Sequence, residues 1–223
     1  MIILKTREKY GDNKYDPIEE KVFLRPISKR IAKALLKTSV TPNMVSVFGF
    51  FILLFACGIL LSSSSYNHYI AAVILYIALV FDKVDGDLAR MRGTAGTKGQ
   101  YIDGFLDLVA EVLLTLSLAH AAGIESVVLV GLSVAGPLVF NYHGIAAPFY
   151  LNIPPSAHKN AESKELKTYL KELAFYGRAK HFFLVILSLL FSAPSVPLFI
   201  FPLLIPYTFV LFIKNSLVKK LIR

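Results

Sequence analysis

Two pairs of aspartates define the chemistry open to this sequence. Asp82 and Asp85 stand three residues apart and Asp103 and Asp107 four apart, all within the 26 residues DKVDGDLARMRGTAGTKGQYIDGFLD. Residues three or four apart on a helix share a face, so each pair presents two carboxylates in one direction. Two adjoining antiparallel helices would then bring four carboxylates into one small volume. Oxygen ligands of this kind suit hard divalent cations such as Mg2+, Mn2+ or Ca2+. Between the pairs, Gly86, Ala89, Gly93, Gly96 and Gly99 keep the walls small, and Arg90, Arg92 and Lys98 add positive charge. Small walls let a ligand approach the backbone closely, and a cation beside an arginine suits a pyrophosphate. The glycine order is neither the dinucleotide fingerprint, which needs a preceding strand, nor the phosphate loop G-x-x-x-x-G-K-[ST].

The elements that must position these residues are hydrophobic. Of the 223 residues, 55% are hydrophobic, and the mean hydropathy of +0.59 lies above that of an ordinary soluble domain. Six apolar segments stand out: Asn43–Leu61, Tyr69–Arg90, Tyr101–Ala122, Ser126–Leu151, His181–Ala193 and Val196–Ile213. A bilayer crossing takes about 20 apolar residues at about 1.5 Å each. The 13 residues from Tyr69 to Phe81 give about 20 Å of helix, which places Asp82 and Asp85 just inside the membrane boundary. One ionised carboxylate there costs about 2.5–3.5 kcal/mol, and four also repel one another. Bound cations offset both terms.

The 24 Lys and Arg fall in four clusters. Ten precede Thr41, four lie between segments two and three, six between segments four and five, and four follow segment six. The connections Ser62–His68, Ala121–Glu125 and Pro194–Ser195 carry none. The positive-inside rule then puts both termini and the aspartate-rich junction in the cytoplasm. The expected fold is an all-α integral membrane protein of the cell membrane with six transmembrane helices. An amphipathic helix over Pro17–Lys37, with Ile18, Val22, Ile27, Ile31 and Leu35 at helical spacing, is expected on the cytoplasmic surface. Thr41 reads as an N-cap and Pro42 as the first residue of the helix after it. A second interfacial helix is expected within Ser156–Lys180. Residues 1–40 thus form a tail and juxtamembrane helix, 41–215 the six-helix domain, and 216–223 a short tail. The net charge of +9 suits an anionic leaflet and calls for no nucleic acid. The single cysteine, Cys57, excludes an internal disulfide and reads as a small buried hydrophobe. The first 40 residues are too charged for a cleavable signal peptide.

Asp82, Asp85, Gly86, Ala89, Arg90, Gly99, Asp103 and Asp107 fill every fixed position of D-x-x-D-G-x-x-A-R-x8-G-x3-D-x3-D. In this the chain resembles the CDP-alcohol phosphotransferase family, over roughly Arg25–Lys214. The resemblance implies transfer of a substituted phosphate group from a CDP-linked donor to an acceptor alcohol, with release of CMP. It implies two Mg2+ or Mn2+ ions held by Asp82, Asp85, Asp103 and Asp107, with Asp107 also the general base toward the acceptor hydroxyl. It implies a nucleotide pocket formed by Gly86, Ala89, Arg90, Gly99 and Asn43. The donor is open among CDP-diacylglycerol, a CDP-diether lipid and a soluble CDP-alcohol. The acceptor is open among inositol phosphate, glycerol phosphate, serine and other polar alcohols. The stretch LRPISKRIAKALLKTSVTPNMVS is similar to that of members making inositol-phosphate-type products or carrying fused nucleotidyltransferases. Arg follows the last motif aspartate in some phosphatidyl-transferring branches, whereas Leu108 stands here. Many members are homodimers.

Other polar residues read less specifically. Asp87 lies off the Asp82–Asp85 face and reads as a solvated or capping residue. Glu111, one turn beyond Asp107, reads as a hydrogen-bonded carboxyl or a partner of the aspartates. Asn141, Tyr142 and His143 read as interhelical hydrogen-bonding groups or as acceptor-pocket lining. Two rival functions use similar residues. A membrane prenyltransferase also takes a pyrophosphate donor, but its two aspartate motifs lie far apart in sequence. A cation transporter would need acidic residues along a path through the other spans. Release of CMP separates the transferase from both.

Overall fold

The computed structural model describes residues 19–62, 64–151 and 178–221. The polar tail expected over Met1–Tyr15 and the interfacial helix expected within 162–176 lie outside them. A π-helical turn, Glu20–Leu24, leads into α1 (Arg25–Leu35). Then come α2 (Pro42–Leu60), α3 (Ser65–Met91), α4 (Thr97–Ala121), α5 (Val127–Leu151) and α6 (Arg178–Leu190). The chain closes with α7 (Val196–Ile200), a 3-10 turn at Phe201–Leu203, and α8 (Leu204–Leu221). There is no strand among the described residues. Each of the six apolar segments is helical, and α8 runs on past Ile213 into the expected tail.

Local chemistry accounts for the helix ends. Thr41 caps α2 as expected: its Oγ1 accepts the Met44 N–H at 3.3 Å, with Pro42 at the first position. At the end of α3, Gly93 has φ 66°, its N–H donates to the Arg90 carbonyl, and the Thr94 N–H donates to the Ala89 carbonyl. This is the left-handed closure that glycine permits without a Cβ penalty. The same closure ends α4 at Gly123 and, without glycine, α6 at Ser192. The sixth apolar segment is broken between α7 and α8, because Pro202 lacks the N–H that a continuous helix needs.

α2 packs against both α3 and α4, α1 lies on α3, α6 packs on α3, and α5 lies against α8 and the 3-10 turn. A core of Leu53, Leu60, Leu75, Leu79, Leu114, Leu118 and Leu189 fills the bundle, and Cys57 is buried within it. A Cβ at Gly136 would collide with the carbonyl of Phe201, so only glycine lets α5 approach the turn this closely. Ser133 Oγ donates to the Leu198 carbonyl at 2.6 Å beside it.

Phe48, Phe51 and Phe55 project outward from α2, as do Phe209, Val210 and Phe212 from α8. An exterior this apolar suits lipid. Pro42–Leu60 and Val196–Ile213, each with mean hydropathy 2.3, are long and apolar enough to cross a bilayer. α3 and α4 have 27 and 25 residues and reach about 40 Å, but they carry the motif charges. The outward aromatics and the apolar helices together suggest a membrane protein.

Candidate active site

The five residues 92–96 join α3 to α4. Gly93 stops the first helix, and Gly96, with extended backbone at φ −161°, precedes the second. So short a connection keeps the last turns of α3 near the first turns of α4, and α2 packs against both helices. Oxygens of Asp82, Asp103 and Asp107 all lie within 4.8 Å of one another, and all three residues are half-buried. They line a cavity together with Asp85, Ser46, Gly49, Leu106, Ala110 and Phe182. Asp85 is buried, and its carboxylate accepts the Ser46 hydroxyl at 2.5 Å and the Gly86 N–H. The four motif aspartates thus share one cavity, three of them at mutual ligand distance. Three carboxylates facing a common space form the hard-oxygen donor set that Mg2+ or Mn2+ takes, so the residues fit such an ion.

The other motif residues gather at the same end of the bundle. A Cβ at Gly86 would lie 3.3 Å from Nη1 of Arg90, so the guanidinium rests over this glycine. A Cβ at Gly99 would lie 3.4 Å from Oδ1 of Asn43, which brings the start of α2 against the start of α4. Asn43 itself is exposed and Ala89 is half-buried. Gly49 allows close contact between α2 and α3: its Cβ would stand 3.2 Å from that of Phe81.

Three expectations from sequence need correction. Asp87 is not solvated: it is 2% exposed. Its Oδ1 accepts Arg25 Nη1 at 3.0 Å and Arg90 Nη2 at 2.7 Å, and its Oδ2 accepts Ser28 Oγ at 2.7 Å. A buried carboxylate requires such partners; Arg90 stands one turn away on α3, whereas Arg25 and Ser28 come from α1, about 60 residues away in sequence. Arg92 does not serve as positive charge for a pyrophosphate. Its guanidinium donates to the carbonyls of Leu35 at 2.7 Å, Thr38 at 2.8 Å and Val40 at 2.5 Å, fixing the α1–α2 connection. Gly93 is a helix terminator rather than a pocket wall.

Deeper in the bundle, Glu111 is 5% exposed. It accepts Asn141 Nδ2 at 2.5 Å and lies 3.5 Å from His181 Nδ1. These groups tie α4, α5 and α6 together, as expected of interhelical hydrogen bonding. Tyr142 is exposed and His143 half-buried.

Sequence reasoning missed Ser46, Gly49, Lys83 and His181. Ser46 follows Asn43 by three residues and so shares its helix face, a signal that was legible. Lys83 Nζ lies 3.1 Å from both Asp82 Oδ2 and Glu20 Oε1. Nothing in the spacing indicates that contact.

Known proteins share these features. A model of the CDP-alcohol phosphatidyltransferase family matches residues 39–213. The chain is 31% identical over 93 residues to archaetidylinositol phosphate synthase of Pyrococcus horikoshii, covering 41% of this chain and 47% of that protein. It is 31% identical over 109 residues to the bifunctional IPC transferase and DIPP synthase of Rubrobacter xylanophilus, covering 48% of this chain and 24% of that protein. The matches therefore span about half or less of these relatives. In fold, the chain is similar to phosphatidylinositol phosphate synthase of Mycobacterium tuberculosis, solved with CDP-DAG bound. The TM-score is 0.61 at 17% identity, covering 85% of this chain and 93% of that one. The same enzyme in complex with manganese and citrate gives a TM-score of 0.62 at 17% identity, covering 84% and 88%. With its motif complete and most of its length matched by the family model, the chain belongs to the CDP-alcohol phosphatidyltransferase family.

Proposed function

We propose that this protein transfers a substituted phosphate group from a CDP-linked lipid donor to an inositol phosphate, releasing CMP, at a site facing the cytoplasm in a six-span membrane domain. The observation that carries this reading is the meeting of the Asp82, Asp103 and Asp107 oxygens at one cavity that Asp85 also lines. Family membership supports the reaction class, and the names of the relatives, which refer to inositol phosphate products or CDP-DAG, support the choice of substrates.

Asp82, Asp85, Asp103 and Asp107 would hold one or two Mg2+ or Mn2+ ions. Such ions, when bound, neutralise the donor pyrophosphate and the charge that grows on departing CMP. Gly86, Ala89 and Gly99 leave room for the nucleotide, Arg90 lies over Gly86 to meet a phosphate, and Asn43 closes the pocket from α2. Asp107 takes the proton of the acceptor hydroxyl. The freed oxygen attacks the phosphorus that carries the donor alcohol, and the bond from that phosphorus to the CMP oxygen breaks. Asp85, held by Ser46, keeps its carboxylate aimed at the cavity.

The test is a matrix of donors and acceptors with purified protein and Mg2+. Donors are CDP-diacylglycerol, a CDP-diether lipid and a soluble CDP-alcohol; acceptors are inositol phosphate, glycerol phosphate and serine. The expected result is CMP release that needs inositol phosphate and a lipid donor and stops in chelator. No CMP from any combination would refute the reaction class. Release with another acceptor alone would refute the substrate choice.

A further inference from the structure

We infer that the N-terminal helix is a positioning element for donor binding, acting through Asp87 on Arg90; this rests on the transfer reaction proposed above. A chain of alternating charges links two motif residues through the segment that precedes and begins α1. Asp82 meets Lys83 at 3.1 Å, Lys83 meets Glu20 at 3.1 Å, and Glu20 lies 3.9 Å from Arg25. Arg25 meets Asp87 at 3.0 Å, and Asp87 meets Arg90 at 2.7 Å. Lys83 and Asp87 occupy positions that the family motif leaves open, so neither is accounted for by the motif.

Burial is graded along this chain. The side chains of Asp87 and Arg25 are 2% and 11% exposed, whereas that of Arg90 is 35% exposed. The anchored end is therefore dry, and the Arg90 end is the more exposed. A long arginine side chain has many rotamers to lose on ordering. The Asp87 carboxylate fixes one of them, over Gly86, and Arg25 and Ser28 fix the carboxylate in turn. Arg92 adds a second tie, donating to the Leu35 carbonyl at the end of α1 and to the Thr38 and Val40 carbonyls just beyond it. Membrane anchoring alone would not require these buried polar contacts. Preorganised donors bind with less ordering cost, so loosening Arg90 should appear in donor affinity rather than in the chemical step.

The experiment uses the full chain in detergent, with CDP-diacylglycerol kinetics and calorimetric binding of CDP in Mg2+. Asp87→Asn and Arg25→Gln should each raise KM for the donor, and Kd for CDP, about tenfold, with kcat within about twofold of wild type. Asp87→Glu should recover most of the affinity. In an Arg90→Gln background, Asp87→Asn should add less than about twofold, because two residues acting as one unit are not additive. A merely structural Asp87 would lose the same factor in both backgrounds and lower kcat with it, which would overturn the inference. So would wild-type affinity in both Asp87→Asn and Arg25→Gln. If Asp87→Asn fails to fold, Arg25→Gln tests the same link from α1. A wild-type protein that neither binds CDP nor releases CMP would instead remove the transfer reading, and this inference with it.

Discussion

Replacing Asp103 by Asn should stabilise the protein in chelator and weaken its response to cations. Oxygens of Asp82, Asp103 and Asp107 lie within 4.8 Å of one another. Two unit charges at that distance repel by about 3.5 kcal/mol at an effective dielectric constant near 20, and by about 1 kcal/mol in bulk water. Asp103 takes part in two such pairs. The open cavity and the Lys83 ammonium, 3.1 Å from Asp82, both pull the value down, so relief of about 1–3 kcal/mol is expected from removing one charge. At about 2–4 °C for each kcal/mol in a chain of this size, Tm in chelator should rise by about 2–12 °C. With a divalent ion present the sign reverses, since one of three attractive partners is gone. The ion concentration needed for half-maximal stabilisation should rise about 10- to 100-fold. Thermal unfolding followed across a Mg2+ or Mn2+ titration reads both quantities. A lowered Tm in chelator with an unchanged titration midpoint would show that the three carboxylates do not share an ion, and the reasoning would fail.

Three further outcomes follow from the geometry. Asp107→Asn should lower the transfer rate by about 10²- to 10⁴-fold while CDP-donor binding persists; turnover near the wild-type rate would remove Asp107 as the base. Gly136→Ala places a methyl group against the Phe201 carbonyl and should cost about 1–3 kcal/mol of stability, read as a fall in Tm with little change in cation affinity. Arg92→Ala releases the carbonyls of Leu35, Thr38 and Val40. It should cost about 1–3 kcal/mol and speed proteolytic cleavage in the α1–α2 connection, with wild-type protection sinking the assignment.

The parts legible in the sequence are those set by local rules. Helical spacing put Asp82 with Asp85 and Asp103 with Asp107, and apolar runs gave the helices that carry them. Thr41 and Pro42 announced the start of α2 by capping chemistry. What escaped was set by pairing across the chain. Asp87 has no local signal for burial, because its carboxylate is satisfied by Arg25 and Ser28 from another helix. Arg92 looked like a phosphate ligand because a cation near glycines is ambiguous until its acceptors are known. Gly93 was misread for a related reason: a glycine between two helices can open a pocket or end a turn, and only its φ of 66° distinguishes the two. The Glu111 network was half legible, since a carboxyl deep in an apolar helix demands a partner, but the sequence does not name His181.

All four motif carboxylates lie on two helices joined by five residues, and α2 packs against both of them. Holding their joined ends near each other costs little chain entropy, because the connection is short. The electrostatic conflict thus arises when α2, α3 and α4 have met. Lys83, next to Asp82 on α3, offers a counter-charge at 3.1 Å. The acidic cluster therefore depends on α2, whose Ser46 also holds Asp85, as well as on the two helices that carry the carboxylates.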